Sequence, residues 1–338
     1  MDSVVSLLPP LLRLQAMLRD RIVRVCGRSP AGRLSRVARE ANEDTIYTMD
    51  RLVEKDLLRF VRREIAVHAP VILIAEGVCG GRVVLPRGTR ERDAAWRIIM
   101  DPIDGTRGLM HGKRSAWILT GVAPNRGAGT TLADIELAVQ TEIPLAKQHL
   151  SDVLWAEKGK GMKARRFNRL DGTSRPVHLA PTRARSIAHG FATVTRLFPG
   201  AREELSAMDE EMIRGALGPA EAGRASCFED QYASTGGQLS ELVAGHDAFV
   251  ADLRPLAGRL LAERGLPPVI CCHPYDICTE LIAREAGVIV TDPAGKPLAT
   301  PLSVEGDVAW VGYANRAIRA QMEPHLRKAL KRRDLLIG

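Results

Sequence analysis

An apolar stretch runs directly into two acids and a hydroxyl at residues 97–112, which read RIIMDPIDGTRGLMHG. Asp101 and Asp104 lie three residues apart, and Gly105 and Thr106 follow at once. A tight turn requires glycine and at most one acid, so this composition exceeds what a turn needs. Because unpaired carboxylates are costly to bury and hard divalent cations prefer oxygen ligands, the stretch predicts a cation site.

The residues around the two acids suit such a site. Pro102 stiffens the expected turn and has no N–H group to satisfy, and the carbonyl of Ile103 is free as a further oxygen ligand. Gly105 permits an unusual backbone angle, and Thr106 can cap a helix or hold a water. We therefore expect both carboxylates on one side of the turn.

Two other apolar segments also end in acids. VILIAEG at 71–77 delivers Glu76, and PPVICCHPYD at 267–276 delivers Asp276 before an expected helix. Each residue also has a simpler interpretation: Glu76 as an exposed strand end, Asp276 as an ordinary N-cap and Thr106 as a helix cap. Taken singly, these alternatives stay open, and the hexapeptide DPIDGT is the sharper signal.

Apolar periodicity and turn residues predict the elements that must position these acids. Helices are expected at 9–26, 49–66, 202–216, 236–245, 276–287 and 314–331, and strands at 71–77, 96–101, 115–124, 134–143, 152–159, 247–253 and 288–292, with a turn and an edge hairpin at 159–172. Alternating blocks predict a mixed α/β (α+β) class. The length of 338 residues favours two lobes, at 1–180 and 181–338.

Composition narrows the class of partner. The formal net charge is +8, but the basic residues are scattered and aromatic residues make up only 4%. Basic clusters at 158–166 and 328–333 are therefore interpreted as solvated surface rather than a nucleic-acid interface. A mildly positive field suits a small anionic substrate.

The cysteines and the N-terminus indicate a cytoplasmic protein. The six cysteines show no CxxC spacing, which favours buried reduced thiols. No apolar run approaches the length of a membrane span. The N-terminal residues have an early acid, a Pro-Pro pair and no basic region before the apolar part, so they do not resemble a signal peptide.

Four motifs, in order, resemble the inositol monophosphatase superfamily of magnesium-dependent, lithium-sensitive phosphatases. DPIDGT after its apolar strand resembles the first signature, and PYDICTELIAREAGVIVTD at 274–292 resembles the second. VILIAEG is similar to the family's Gly-Glu-Glu strand end, and YTMDRLVEKDL at 47–57 to its Thr-x-x-Asp-x-x-Val-Glu helix start. The resemblance covers residues 47–298.

The resemblance implies a fold and a set of metal ligands. The fold would be the layered αβαβα sandwich of the inositol monophosphatase and fructose-1,6-bisphosphatase type. Two or more Mg²⁺ ions are implied. Glu76, Asp101 and the Ile103 carbonyl would hold the first, and Asp101, Asp104 and Asp276 the second.

The resemblance also implies the catalytic and substrate-binding residues. Asp50 and Thr106 would orient and activate a water on the first metal, beside Glu76. Asp104, Gly105, Thr106 and Arg107 would face the substrate, with backbone N–H groups of Gly105 and Thr106 directed at the phosphate.

The implied activity is hydrolysis of a small phosphorylated metabolite, such as an inositol monophosphate or a sugar phosphate. Two metals would neutralise the ester's charge, lower the pKa of a bound water and stabilise the leaving alkoxide. No nucleic-acid polymer or membrane is expected as a partner. A homodimer is possible, since family members are often dimers.

The sequence departs from the family pattern at several positions. Gly77 replaces the second Glu, which leaves a third metal in doubt; Tyr275 replaces the Trp before the metal aspartate, and Val288 replaces the second Gly of the Glu-Ala-Gly-Gly signature. An insertion-like stretch at 254–268 separates segments that help bind the substrate alcohol in the family. Substrate identity therefore does not carry over.

One local detail points to another branch of the superfamily. TRGLMHG at 106–112 is more similar to the 3′-phosphoadenosine phosphatases than to the inositol enzymes, so hydrolysis of 3′-phosphoadenosine 5′-phosphate is an alternative. Arg107, His111, Lys113 and Arg114 would then meet a second phosphate, or they form a solvated basic loop.

Two other classes of protein share parts of this pattern. A haloacid-dehalogenase-type phosphatase needs an acid two residues after its nucleophilic aspartate, but Ile103 stands there, so the spacing excludes it. A non-catalytic protein that binds a phosphorylated ligand on the same fold is the alternative of another class.

Overall fold

The computed structural model describes residues 3–28, 37–41, 44–78, 80–267 and 269–336. Residues 28, 37–41 and 44–52 are described by their backbone alone. Within this part of the chain, helices and sheets alternate in five layers, αβαβα.

The helices occupy three of the five layers. They are α1 (Leu8–Arg28), α2 (Thr48–Phe60), α3 (Thr106–Met110), α4 (Arg202–Leu217), α5 (Thr235–Ala244), α6 (Arg254–Glu263), α7 (Glu280–Glu285) and α8 (Arg316–Lys331). A π-helical turn, Val61–Ile65, continues α2. Short 3₁₀ turns lie at Val4–Leu7, Glu91–Asp93, Gly127–Gly129 and Leu132–Asp134.

The strands form two sheets and one hairpin. They are β1 (Val37–Ala41), β2 (Asp44–Tyr47), β3 (Val71–Ala75), β4 (Arg82–Leu85), β5 (Trp96–Asp104), β6 (Ala116–Pro124), β7 (Leu137–Ile143), β8 (Leu150–Glu157), β9 (Met162–Asn168), β10 (Ser174–Pro176), β11 (Phe191–Val194), β12 (Asp247–Asp252), β13 (Ile289–Thr291) and β14 (Trp310–Tyr313). The order is β10-β9-β8-β7-β6-β5-β3-β4 in the first sheet and β11-β12-β14-β13 in the second. Among the described strands, β3 and β5 pair in parallel in the first sheet and β11 and β12 in the second, and the other neighbouring strands pair antiparallel.

Three apolar cores join the layers. The first lies between α1, α2 and one face of the first sheet, and includes Leu14 and Leu73. The second surrounds α5 and α7 between the two sheets. The third packs α4, α6 and α8 on the outer face of the second sheet, with Phe249 at its centre. Each buried aliphatic or aromatic side chain contributes about 1.5–3 kcal/mol, so these cores fix the positions of the middle helices.

Two buried glutamines add polar links between layers. Gln15 of α1 donates to the Thr120 hydroxyl (2.8 Å) and the Val139 carbonyl (3.0 Å), and accepts from the Thr141 hydroxyl (2.6 Å). Gln140 follows Val139 on β7 and faces the opposite side of the sheet, because successive strand residues alternate.

Gln140 connects the two middle helices. Its Nε2 donates to the carbonyl of Gly236 in α5 (2.7 Å), and its Oε1 accepts from the hydroxyl of Thr279, which precedes α7 (2.8 Å). Gln140 is 1% exposed, so both bonds are shielded from water.

Most expected elements are confirmed, but two differ near the acids. The strand expected at 96–101 continues to Asp104. The helix expected at 276–287 begins only at Glu280, because residues 274–279 form turns closed by i to i−3 hydrogen bonds. The insertion-like stretch at 254–268 forms α6 at its start.

Two further expectations concerned reduced cysteines and membrane-spanning segments. Among the described residues, Cys26, Cys227, Cys272 and Cys278 are free thiols, the last two of them buried, and Cys79 lies outside the described residues. Among the described helices, none combines the length and apolarity needed to cross a membrane.

Candidate active site

A β-bulge at the end of β5 brings two acids to the same face. Asp101 pairs with Leu119 and Asp104 with Trp117, so three steps along β5 match two along β6. In a regular strand, residues three apart point to opposite faces, and one extra residue reverses this. The tight turn expected from the sequence is therefore a bulged strand end, and Pro102 suits it because it has no N–H for the ladder.

The carbonyl of Ile103 was expected to be free, but in the structure it has a hydrogen-bond partner. It accepts a hydrogen bond from the Thr106 hydroxyl (2.7 Å), while the Ile103 N–H donates to Asp101 Oδ1 (2.8 Å). A carbonyl oxygen has two lone pairs, so one remains for a ligand. The interpretation of Thr106 as a helix cap is wrong, because Gly105 occupies the N-cap of α3.

Two glycines allow close packing beside Asp104. Gly105 has a φ of 95°, and a Cβ there would lie 3.0 Å from the Cβ of Ser234. A Cβ on Gly236 would lie 2.4 Å from the Leu119 side chain. Both positions therefore require glycine for steric reasons.

The N-terminus of α5 holds Asp104. The Ser234 hydroxyl and the Gly236 N–H both donate to Asp104 Oδ2, at 2.8 and 2.6 Å. Ser234 also caps α5 by accepting from the Gly237 N–H (2.9 Å). Burial raises the pKa of Asp104 to about 6, although these donors and the positive charge of Arg254 act in the opposite direction.

Asp276 comes from the turn before α7. Its Oδ2 accepts from the His273 N–H at 2.6 Å, and the His273 ring stacks on Tyr275 with centroids 5.4 Å apart. Thr279, not Asp276, occupies the N-cap of α7. The interpretation of Asp276 as an ordinary N-cap is therefore wrong.

These elements bring three carboxylates together. Oxygens of Asp101, Asp104 and Asp276 lie within 4.8 Å of one another, and Asp101 and Asp104 are buried. Glu76 follows β3, is half-buried rather than exposed, and lines the same cavity of about 100 Å³. This geometry unites the four acids that the sequence singled out.

The electrostatics of the cluster favour a bound cation. Burial raises the pKa of Asp101 well above its usual value, and the neighbouring charges of Glu76, Asp104 and Asp276 raise it further. Like charges at this separation repel strongly in a buried site. A donor set made only of oxygens suits Mg²⁺ better than softer metals, so the residues present fit the ion.

Of the other expected site residues, some line the cavity and some do not. Arg107 and Thr106 line the cavity, whereas His111, Lys113 and Arg114 do not. Asp50 lies in the first turn of α2, and its side chain lies outside what the structure describes.

Sequence reasoning missed several residues of the site. Ser234, Phe198 and Arg254 line the cavity, and the backbone of Gly236 binds Asp104. Ser234 stands two residues before the helix expected at 236–245, and a serine close to a helix start is an N-cap signal that could have identified it. Local patterns gave no comparable signal for Phe198 or Arg254.

Comparison with known proteins gives a likeness in fold. No protein-family model matches the chain, and no curated protein matches it. Similar solved structures include an inositol monophosphatase–fructose 1,6-bisphosphatase, the IMPase of Thermotoga maritima and the extragenic suppressor protein SuhB from Bartonella henselae. Their sequence identities are 17%, 17% and 18%, and their TM-scores are 0.62, 0.61 and 0.62.

These likenesses extend over nearly the whole chain. They cover 94%, 96% and 96% of this chain and 98%, 98% and 99% of the respective structures. The resemblance to the inositol monophosphatase superfamily is thus confirmed at the level of the fold, which is the layered αβαβα fold expected from the sequence.

Replacing Asp104 with asparagine is expected to alter how stability depends on pH in chelator-treated protein. Since the folded pKa of about 6 exceeds the unfolded value of 3.8, wild-type stability is lost as the pH rises through 6. The shift corresponds to roughly 3 kcal/mol. Asp104→Asn avoids that loss while its amide oxygen still accepts both hydrogen bonds.

Thermal unfolding between about pH 4 and pH 8 checks this expectation. The melting temperature of Asp104→Asn, relative to wild type, should rise across the range, while Asp171→Asn on the exposed hairpin should show no such trend. A difference that stays constant with pH would contradict the raised pKa of Asp104.

Proposed function

We propose that this protein is a divalent-cation-dependent phosphomonoesterase that acts on a small phosphorylated metabolite. The observation that carries the proposal is the cluster of Asp101, Asp104 and Asp276 oxygens within 4.8 Å, with Glu76 on the same cavity. The likeness in fold to an inositol monophosphatase–fructose 1,6-bisphosphatase supports it.

We propose two Mg²⁺ sites with the ligand sets that the family resemblance implies. Glu76, Asp101 and the Ile103 carbonyl would hold one ion, and Asp101, Asp104 and Asp276 the other. Cations bound there would neutralise a phosphate ester and lower the pKa of a coordinated water. A third metal, which the resemblance would also allow, is in doubt because Gly77 stands in place of the family's second Glu and has no carboxylate.

The chain's own groups orient the reactants. Because the Thr106 hydroxyl donates to Ile103, its oxygen is an acceptor towards the cavity, and it can hold a water by one of the water's protons. We propose that Asp50 takes a proton from this water. The N–H groups of Gly105 and Thr106 would donate to the phosphate, and Arg107 would contact the remainder of the substrate.

The proposed substrate, location, oligomeric state and domain division rest on the sequence. An inositol monophosphate or a sugar phosphate is the favoured substrate. The cytoplasmic location, the homodimer and the lobes at 1–180 and 181–338 remain part of the proposal. The first sheet ends at Pro176 and the second begins at Phe191, which agrees with a boundary between them.

Phosphate release from inositol 1-phosphate, fructose 1,6-bisphosphate and 3′-phosphoadenosine 5′-phosphate tests the activity. We expect Mg²⁺-dependent release from at least one, inhibited by Li⁺ and abolished by chelator. Asp276→Asn should lower turnover at least about 100-fold, because a carboxylate ligand of the cation that would stabilise the transition state is lost. Asp171→Asn is the control, since Asp171 lies in a distant exposed turn.

The same experiment distinguishes a phosphatase from a non-catalytic protein that binds a phosphorylated ligand. Tight binding of a phosphorylated compound without turnover, in folded wild-type protein that binds Mg²⁺, would reject the phosphatase and favour the non-catalytic binding protein.

Gln140 is expected to position the acids. It binds Gly236, whose N–H holds Asp104, and Thr279, three residues after Asp276. Gln140→Met should lower Mg²⁺ affinity about 10- to 100-fold, as is usual when groups that orient metal ligands are lost.

Gln15→Met is the matched control, because Gln15 makes the same kind of buried bridge on the far face of the sheet. Both variants should lose stability, since each leaves buried hydroxyls unpaired. Titration calorimetry should show weaker Mg²⁺ binding only for Gln140→Met, and equal affinity in the two variants would refute the positioning role.

A further inference from the structure

One wall of the cavity is basic and aromatic, although the acids dominate the rest. Arg107, Phe198 and Arg254 all line it. The guanidinium carbons of Arg107 and Arg254 lie 5.5 and 5.6 Å from the centroid of the Phe198 ring, within the range of cation–π contacts. The proposed metal ligands do not account for this wall.

Arg254 is held rigidly in that wall. Its Nε and Nη2 donate to the two carboxylate oxygens of Asp252, at 2.8 and 2.5 Å, and its Nη1 donates to the Ile270 carbonyl at 2.9 Å. A guanidinium has five N–H donors, so two remain without a hydrogen-bond partner among the described residues. A side chain fixed by three bonds binds a ligand with little further loss of conformational freedom.

The position of Arg254 gives those donors access to the site. Its side chain is only 6% exposed, yet it lines the cavity. Asp252 is fully buried behind it, so the pair is charge-balanced and stable without a ligand.

Arg254 also belongs to the part of the chain that departs from the family resemblance. It is the first residue of the insertion-like stretch at 254–268, which forms α6. Arg254 and Phe198 were not among the residues carried over from the resemblance, whereas Arg107 was.

We propose that Arg254 and Arg107 form a subsite for a second anionic group, phosphate or carboxylate, on the substrate whose phosphate ester is cleaved. Phe198 packs against the carbon skeleton that joins the two groups. Guanidinium groups suit both anions because their forked donors match paired oxygens. The inference rests on the proposed phosphatase activity and narrows its substrates to phosphate esters that carry a second negative charge, which favours a sugar bisphosphate over an inositol monophosphate.

Two matched substrate pairs test the subsite and separate the sources of the anion. Fructose 1,6-bisphosphate and fructose 1-phosphate differ by a phosphate, and 2-phosphoglycerate and glycerol 2-phosphate differ by a carboxylate. In at least one of the two pairs, wild-type protein should have a kcat/KM at least about 10-fold higher for the member that carries the second anion. This factor corresponds to one hydrogen bond to a charged group.

Arg254→Met should remove that preference, because its loss of kcat/KM should be about 10- to 100-fold larger for the compound with the second anion than for the partner compound. Arg107→Gln, at a half-buried site, should act in the same direction. Arg254→Met leaves the buried Asp252 without its ion-pair partner, which could unfold the protein. In that case the double variant Asp252→Asn/Arg254→Gln, which removes both charges together, is used for the same measurement.

Arg114→Met is the matched control. Arg114 also pairs with an acid, Asp230, at 2.5 Å, and its guanidinium lies 4.3 Å from the Tyr232 ring, but it does not line the cavity. Its substrate preference should equal that of wild type.

The outcomes distinguish the subsite from the activity. Equal loss on both members of a pair, or no preference in wild type, would overturn the subsite while leaving the phosphatase intact. Absence of release from all four compounds, and also from inositol 1-phosphate and 3′-phosphoadenosine 5′-phosphate, would overturn the phosphatase. Calorimetric binding of the same pairs then tests the subsite without turnover, and equal affinity within each pair would reject it.

Discussion

The repulsion among Asp101, Asp104 and Asp276 is the constraint around which the rest of the structure is organised. Three carboxylates with oxygens within 4.8 Å of one another, two of them buried, do not gather unless other interactions hold them. Each acid is fixed by backbone or side-chain donors from its own segment or a neighbouring one. A cation would relieve the repulsion that these interactions sustain.

The layered fold supplies three separate supports for these acids. The bulge in β5 turns Asp101 and Asp104 to one face, the N-terminus of α5 binds Asp104, and a turn before α7 places Asp276. The middle apolar core packs α5 and α7 against the first sheet, and Gln140 links the two helices through the sheet. The site is therefore built at the junction of the first sheet and the middle helices, where small displacements are opposed by packing.

The parts of the site that lie within one short segment were predictable from the sequence, and the parts that depend on distant segments were not. DPIDGT carries two acids, a proline and a glycine within six residues, so its role was evident without tertiary information. The bulge was missed because it depends on pairing with β6, and Ser234 because it meets Asp104 from 130 residues away. The late start of α7 reflects turns that periodicity does not report. The short buried strand β14 gave too few residues for alternation to be recognised.

The most direct test is a crystal structure of the protein soaked with Mn²⁺, with the anomalous signal used to locate the ions. Mn²⁺ takes the same oxygen ligands as Mg²⁺. Two peaks roughly 3.5–4 Å apart, bounded by Glu76, Asp101, Asp104 and Asp276, are predicted. Anomalous density elsewhere, with none among these four acids, would contradict the metal-dependent site.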